Sequence, residues 1–182
     1  MSAVNITIIT GSNRKVSAST RTLRYIARLL EDKGNDVTII DLWENPLPFY
    51  SPDDDYSQHP LIVNLLQSVE SADGLVIGTP EYHGSVSGVL KNALDFMGAS
   101  QVSGKPVLSV STSGGAVGVS SLTQMQAMVR NLHGINSPEW ISLGGDARKF
   151  DEEGVPIDEK VRLRIDRSVN LLIKLAQQLK GE

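Results

Sequence analysis

The feature that most constrains this chain is a regular alternation. Short runs of β-branched and aliphatic residues, most of them stopped by glycine or proline, are separated by longer segments of helical periodicity. Residues 4–10 (VNITIIT) stop at Gly11, residues 36–42 read DVTIIDL, residues 74–79 (GLVIGT) stop at Pro80, and residues 106–111 read PVLSVS. Such runs suit strands covered on both faces, as in a parallel sheet. Between them, Leu23, Ile26, Ala27 and Leu30 fall at helical spacing within residues 19–33, with Gly34 just beyond. Leu61, Ile62, Leu65 and Leu66 do so within 60–71, and Val89, Leu90, Ala93, Leu94 and Met97 within 87–98. Further helices are predicted over 119–133 and 158–180, and a fifth strand over 135–143, interrupted by Pro138. Five strands alternating with five helices predict a doubly wound α/β fold, a three-layer sandwich around a five-stranded parallel sheet. Single-helix crossovers favour the strand order 2-1-3-4-5. With no repeat, low-complexity tract or linker, the 182 residues read as one domain.

Composition removes several functional classes. The chain has no cysteine, which excludes disulfides, thiolate metal sites, iron–sulfur clusters and a cysteine nucleophile. His59, His83 and His133 are far apart and show no metal-ligand spacing. The net charge is −4 and the 17 basic residues are scattered, so nucleic acid is not expected as a partner. No apolar run approaches the roughly 20 residues that span a bilayer, and the N-terminal residues lack the pattern of a secretory signal. No membrane association is expected, and a cytoplasmic location is the default.

In an open parallel sheet, ligands bind beyond the carboxyl ends of the strands, near the point where strand order reverses. For the order 2-1-3-4-5 that means the loops after strands one, three and four. The first, residues 11–20 (GSNRKVSAST), leads into a helix N-terminus with its unpaired N–H groups and partial positive charge. Ser12, Ser17, Ser19 and Thr20 add hydroxyls and Arg14 a charged donor, a composition suited to a phosphate. Helix capping alone explains part of it. The loop matches neither G-x-G-x-x-G nor G-x-x-x-x-G-K-[ST].

The second, residues 79–88 (TPEYHGSVSG), leaves its strand through Pro80. Gly84 and Gly88 permit close backbone approach, and Tyr82 and His83 offer planar surface with polar tips. The third, residues 112–118 (TSGGAVG), is rich in glycine, which is common in plain turns as well as at ligands. A further loop, residues 43–58, holds three prolines, an acidic cluster and the large side chains Trp43, Leu47, Phe49 and Tyr50. It reads equally as a wall of a site, a contact with another subunit, or ordinary packing.

Together, G-S-N-R-K-V-S after strand one and T-P-E-Y-H-G-S-V-S-G-V-L-K-N-A-L-D-F after strand three resemble the NADPH-dependent FMN reductase family, with its azoreductase and quinone reductase members. The resemblance follows the order of elements and fades after residue 135. It implies a flavodoxin-like fold, bound FMN, NADPH or NADH as hydride donor, and a homodimer or homotetramer. By position, Ser12, Arg14, Ser17, Ser19 and Thr20 would hold the FMN phosphate. Pro80, Glu81, Tyr82, His83, Gly84 and Ser85 would line the isoalloxazine, largely through backbone atoms, and Ser113 and Gly115 would approach it from the third loop. No side-chain general base is expected; for Glu81 an edge-binding or structural role is favoured. The nicotinamide would pass hydride to the flavin, and a small acceptor (a quinone, an azo compound or free flavin) would then collect two electrons at the same face. Many relatives carry asparagine at the position of His83, and some azoreductase-like ones carry histidine. Many also carry proline at the position of Ser87.

One rival shares the fold: a flavodoxin that carries electrons without direct use of NAD(P)H. Its usual T-x-T-G-x-T phosphate loop and acidic face are missing here. The other is a flavin-free regulatory or scaffolding α/β domain.

Overall fold

The computed structural model describes residues 2–180. Its sheet holds β1 (Asn5–Thr10), β2 (Asp36–Asp41), β3 (Gly74–Pro80), β4 (Pro106–Ser113), β5 (Ile135–Asn136) and β6 (Ile141–Gly144). Every pairing is parallel and the order is β2-β1-β3-β4-β5, with β6 also on β4. The helices are α1 (Ala18–Asp32), α2 (Pro60–Ser71), α3 (Gly88–Asp95), the short α4 (Ala99–Val102), α5 (Val119–Asn131) and α6 (Glu159–Leu179). The expected flavodoxin-like topology is present.

The strands are apolar at consecutive positions because each face of the sheet is covered. Ile6 and Ile8 of β1, Val76 of β3 and Val110 of β4 pack under α1 and α6, against Leu23, Ile26, Ile165 and Leu172. Ile9, Leu75 and Ile77 point the other way, to Leu65, Leu90, Leu122 and Met125 of α2, α3 and α5. Thr7 on that second face is satisfied by donating to the Ser68 carbonyl at 2.7 Å.

The structure divides the predicted fifth strand. Ser137 N–H makes a bond to the Val107 carbonyl at 2.9 Å. Pro138 then has no N–H to give, and the ladder stops. It resumes with Ile141 opposite Val110, so five residues of this strand span three of β4. Strand four runs two residues past its expected end, to Ser113. Strand three closes at Pro80, which pairs with Thr112 in register; the next amide, Glu81, donates to the Thr112 carbonyl at 2.8 Å.

Two glycines set how closely the site's elements approach. Gly11 N–H donates to the Gly78 carbonyl at 2.7 Å. A Cβ on Gly11 would lie 2.7 Å from both that oxygen and Leu90 Cβ, and one on Gly78 would lie 2.5 Å from Leu23 Cδ1. The turn leaving β1 is therefore pressed against β3 and α3 with no space for a side chain. Gly11→Ala is expected to lower stability by about 1–3 kcal/mol through overpacking, read as a reduced urea midpoint. An unchanged midpoint would show that this contact yields freely.

Candidate functional site

Three loops meet at the carboxyl edge of the sheet, and each is held by specific bonds. In the first, Ser12 is fully buried and Ser17 is the N-cap of α1. Ser17 Oγ accepts from Thr20 N–H at 3.0 Å and donates to Thr20 Oγ1 at 2.8 Å, with Ser19 Oγ 3.1 Å away. Since Ser17 gives its proton inward, the Thr20 hydroxyl proton is left to point away from the cap. The earliest amides of α1 have no intrahelical acceptor. Arg14 stands exposed, with no salt-bridge partner among the described residues.

The loop after β3 is a tight hairpin. Tyr82 N–H donates to Ser85 O and Ser85 N–H to Tyr82 O, both at 3.0 Å. The two residues between, His83 and Gly84, have φ of 53° and 73°. A turn of this kind needs positive φ at both central positions, where glycine, asparagine and aspartate fit best and histidine is tolerated. His83 therefore has a backbone reason for its place, independent of any substrate.

Helix α5 grips this hairpin at two points. Gln124 Nε2 donates to Gly84 O at 2.9 Å, and Gln124 Oε1 accepts from Ser85 Oγ at 2.6 Å. Glu81 Oε2 accepts from both the N–H and the hydroxyl of Ser121 at 2.9 Å. The N-cap of α5 is Gly118, which has no side chain to offer. The Glu81 carboxylate does that work from another loop and adds negative charge at the helix N-terminus. Glu81 thus caps α5 through its carboxylate.

Ser87 joins the first two loops. Its Oγ accepts from Leu90 N–H at 3.1 Å, capping α3, and donates to the Gly11 carbonyl in a short bond. Its own N–H donates to Thr79 Oγ1 at 2.9 Å. In the third loop, buried Ser113 donates to the Gly115 carbonyl at 3.2 Å, Gly145 N–H donates to the same carbonyl at 2.9 Å, and Gly118 N–H donates to Ser142 Oγ at 2.8 Å. The amides of His83, Gly84, Gly114 and Gly115 have no acceptor among the described residues. The edge therefore combines free N–H donors, hydroxyls and a guanidinium at one end with backbone donors and the Tyr82 ring at the other. That donor set fits a phosphorylated, planar, polar-edged ligand such as FMN.

A cavity of about 270 Å³ opens beside the site between Asn13, Leu42, Leu47, Phe49, Tyr82 and Val89. Asn92 shapes it: its Oδ1 accepts from Tyr50 N–H at 2.9 Å and its Nδ2 donates to Pro48 O at 2.8 Å. This clamps the proline-rich loop to α3 and leaves Phe49 90% exposed at the rim. The structure thus brings Leu47, Phe49 and Tyr82 together; Trp43 lies apart, beside Arg24 and Glu44. Asn92 and Gln124 were not picked out from the sequence. Their partners lie about forty residues away, at intervals of 42 and 40, and no local pattern marks them.

The topology and the loops at the switch point define a flavodoxin-like α/β protein with a nucleotide-type cradle. The chain belongs to the NADPH-dependent FMN reductase family, whose model matches residues 4–147. It is 34% identical over 176 residues to an FMN-dependent NADPH-azoreductase of Staphylococcus haemolyticus, covering 91% of this chain and 93% of that one. An NADPH azoreductase of Bacillus sp. strain OY1-2 is 31% identical over 143 residues, 78% of each chain. Among solved structures, FerB, a flavoenzyme NAD(P)H:(acceptor) oxidoreductase from Paracoccus denitrificans, has the same fold, with a TM-score of 0.80 at 23% identity over 97% of this chain and 98% of that one.

Glu81→Gln keeps an acceptor for Ser121, so the variant is expected to retain most of its turnover with NADPH and an azo dye. A general-base role would instead cost about 100-fold or more, and a loss of that size in initial rate would overturn the capping assignment.

Proposed function

We propose that this chain is an FMN-dependent NAD(P)H oxidoreductase, working as one FMN-binding domain, that passes two electrons from the nucleotide to a small acceptor in two separate half-reactions. The observation that carries this is the cradle of unpaired donors held rigid by Ser87, Glu81 and Gln124 at the switch point. Ser12, Arg14, Ser17, Ser19 and Thr20 receive the FMN phosphate, through hydroxyls, first-turn amides and one guanidinium. Pro80, Glu81, Tyr82, His83, Gly84 and Ser85 line the isoalloxazine, the hairpin contributing its free amides, and Ser113 and Gly115 close on it from the third loop. Bound there, FMN would supply a two-electron hydride centre between NADPH or NADH and an azo compound, a quinone or free flavin.

The protein's part is orientation and electrostatics. The unpaired amides of the hairpin and the third loop would favour negative charge on a bound, reduced ring, and their rigid anchoring means that little reorganisation would be needed. The cavity lined by Leu47, Phe49 and Tyr82 offers a flat acceptor an apolar wall. The azoreductase names of the relatives support an azo compound as acceptor. A homodimer or homotetramer is proposed on the family resemblance of the two motifs, residues 11–17 and 79–96.

Arg14→Ala is expected to weaken FMN about tenfold or more, the loss of a charged hydrogen bond to phosphate, while leaving riboflavin, which lacks the phosphate, unaffected in equilibrium titration. Equal weakening of both would remove the phosphate from this loop. Initial rates at several fixed azo-dye concentrations should give parallel double-reciprocal lines against NADPH, and converging lines would rule out separate half-reactions.

A further inference from the structure

Beside the cradle, the first loop borders a second concavity, of about 190 Å³, which shares Arg14 and Thr20 with the FMN reading and whose other lining residues that reading leaves unassigned. It is lined by Arg14, Lys15, Val16, Thr20, Arg21 and Arg24 on one side and Asp41, Trp43 and Glu44 on the other. Four cations here meet two carboxylates in a chain whose net charge is −4.

The wall opposite the cations is built around a buried acid. Asp41, 4% exposed at the end of β2, accepts from Arg24 Nη2 through one carboxylate oxygen and from Trp43 N–H through the other, both at 3.0 Å. Glu44 also takes Arg24, at 3.1 Å. The bond to Asp41, with the charges of both carboxylates, raises the Arg24 pKa. Arg24 is thus spent on holding this wall, where it pairs with both acids and so offsets one of their two negative charges. Trp43, pinned through its backbone, presents its indole 45% exposed at the rim. Arg14 is assigned to the FMN phosphate. Lys15 and Arg21 remain, both exposed and without a salt-bridge partner among the described residues.

Two free cations facing an anchored, exposed indole form a receptor for a purine that carries its own phosphate. Trp43 supplies a stacking platform, and Lys15 and Arg21 supply charged donors for phosphate oxygens. The neighbouring hollow along α1 does not compete for the anion. It shares Arg21 and Arg24 with this pocket but carries Glu31, Asp151, Glu152 and Glu153, and its Arg28 already donates to the carbonyls of Glu153 and Gly154.

We propose that the Lys15–Arg21–Trp43 pocket binds the adenosine 2′-phosphate end of NADPH and so sets a preference for NADPH over NADH. This rests on the FMN reading above, since it takes the nicotinamide end to lie at the adjacent cradle. Trp43 serves the adenine of either nucleotide, whereas Lys15 and Arg21 distinguish them.

The test uses FMN-loaded protein and two probes, 2′,5′-ADP and 5′-AMP, titrated calorimetrically. The expected result is that 2′,5′-ADP binds about tenfold or more tightly than 5′-AMP. Lys15→Ala with Arg21→Ala should abolish that preference, and Trp43→Ala should weaken both probes together. In steady state the double variant should narrow the ratio of the NADH to the NADPH KM by a similar factor. Lys149→Ala, a cation paired with Asp146 elsewhere on the surface, controls for net charge. Equal affinity for the two probes, or a preference that survives in the double variant, would overturn the proposal. Flavin content and reduction by saturating NADH are read in the same samples, so failure of the FMN reading would appear there and not in the probe ratio.

Discussion

The contact on which the site depends is the one between the turn leaving β1 and the end of β3. Gly11 lies directly on the Gly78 carbonyl, and Ser87 closes the gap from the other side by donating to Gly11 O while it caps α3. Neither glycine has room for a Cβ. The phosphate-type loop and the hairpin of residues 82–85 therefore move as one body. The second grip, from Glu81 and Gln124 to α5, ties that body to the loop after β4. Three segments distant in sequence become one rigid edge, which is what a cofactor with a phosphate at one end and a planar ring at the other requires.

This arrangement also explains the ordinary look of the side chains. Most of the donors are backbone amides left unpaired by turn geometry, and the conspicuous residues of the motif act on the protein itself. Glu81 caps a helix whose own N-cap is glycine. His83 occupies a left-handed position in a two-residue turn. Ser87 supplies one hydroxyl both to the Gly11 carbonyl and to the cap of α3. Of the basic side chains here, Arg14 is proposed for the cradle, and Lys15 with Arg21 of α1 for the neighbouring pocket, which Arg14 also borders.

Much of the fold was legible in the sequence because parallel strands buried on both faces leave uninterrupted runs such as residues 4–10 and 74–79, each followed by a glycine or a proline. The fifth strand was legible only in outline. Pro138 marked an interruption, but whether the chain leaves the sheet or bulges and returns depends on β4, which no local pattern reveals. The site was legible where local chemistry defines it, as in the Ser17 cap and the 82–85 turn. It was hidden where one side chain reaches a distant segment, as Asn92 does to the backbone of Pro48 and Tyr50, or Asp41 to the side chain of Arg24. Those roles come from packing in three dimensions.

The central claim is that this edge holds FMN within reach of a nicotinamide and of an acceptor in turn. An anaerobic absorbance titration of FMN-reconstituted protein tests it most directly, with NADPH added first and an azo dye second. The account predicts that NADPH bleaches the oxidised-flavin band and that the dye restores it as the dye itself is consumed. Flavin that stays bound but unbleached by NADPH and by NADH would make this an electron carrier of the flavodoxin type, and protein that takes up no FMN would contradict the account at its base.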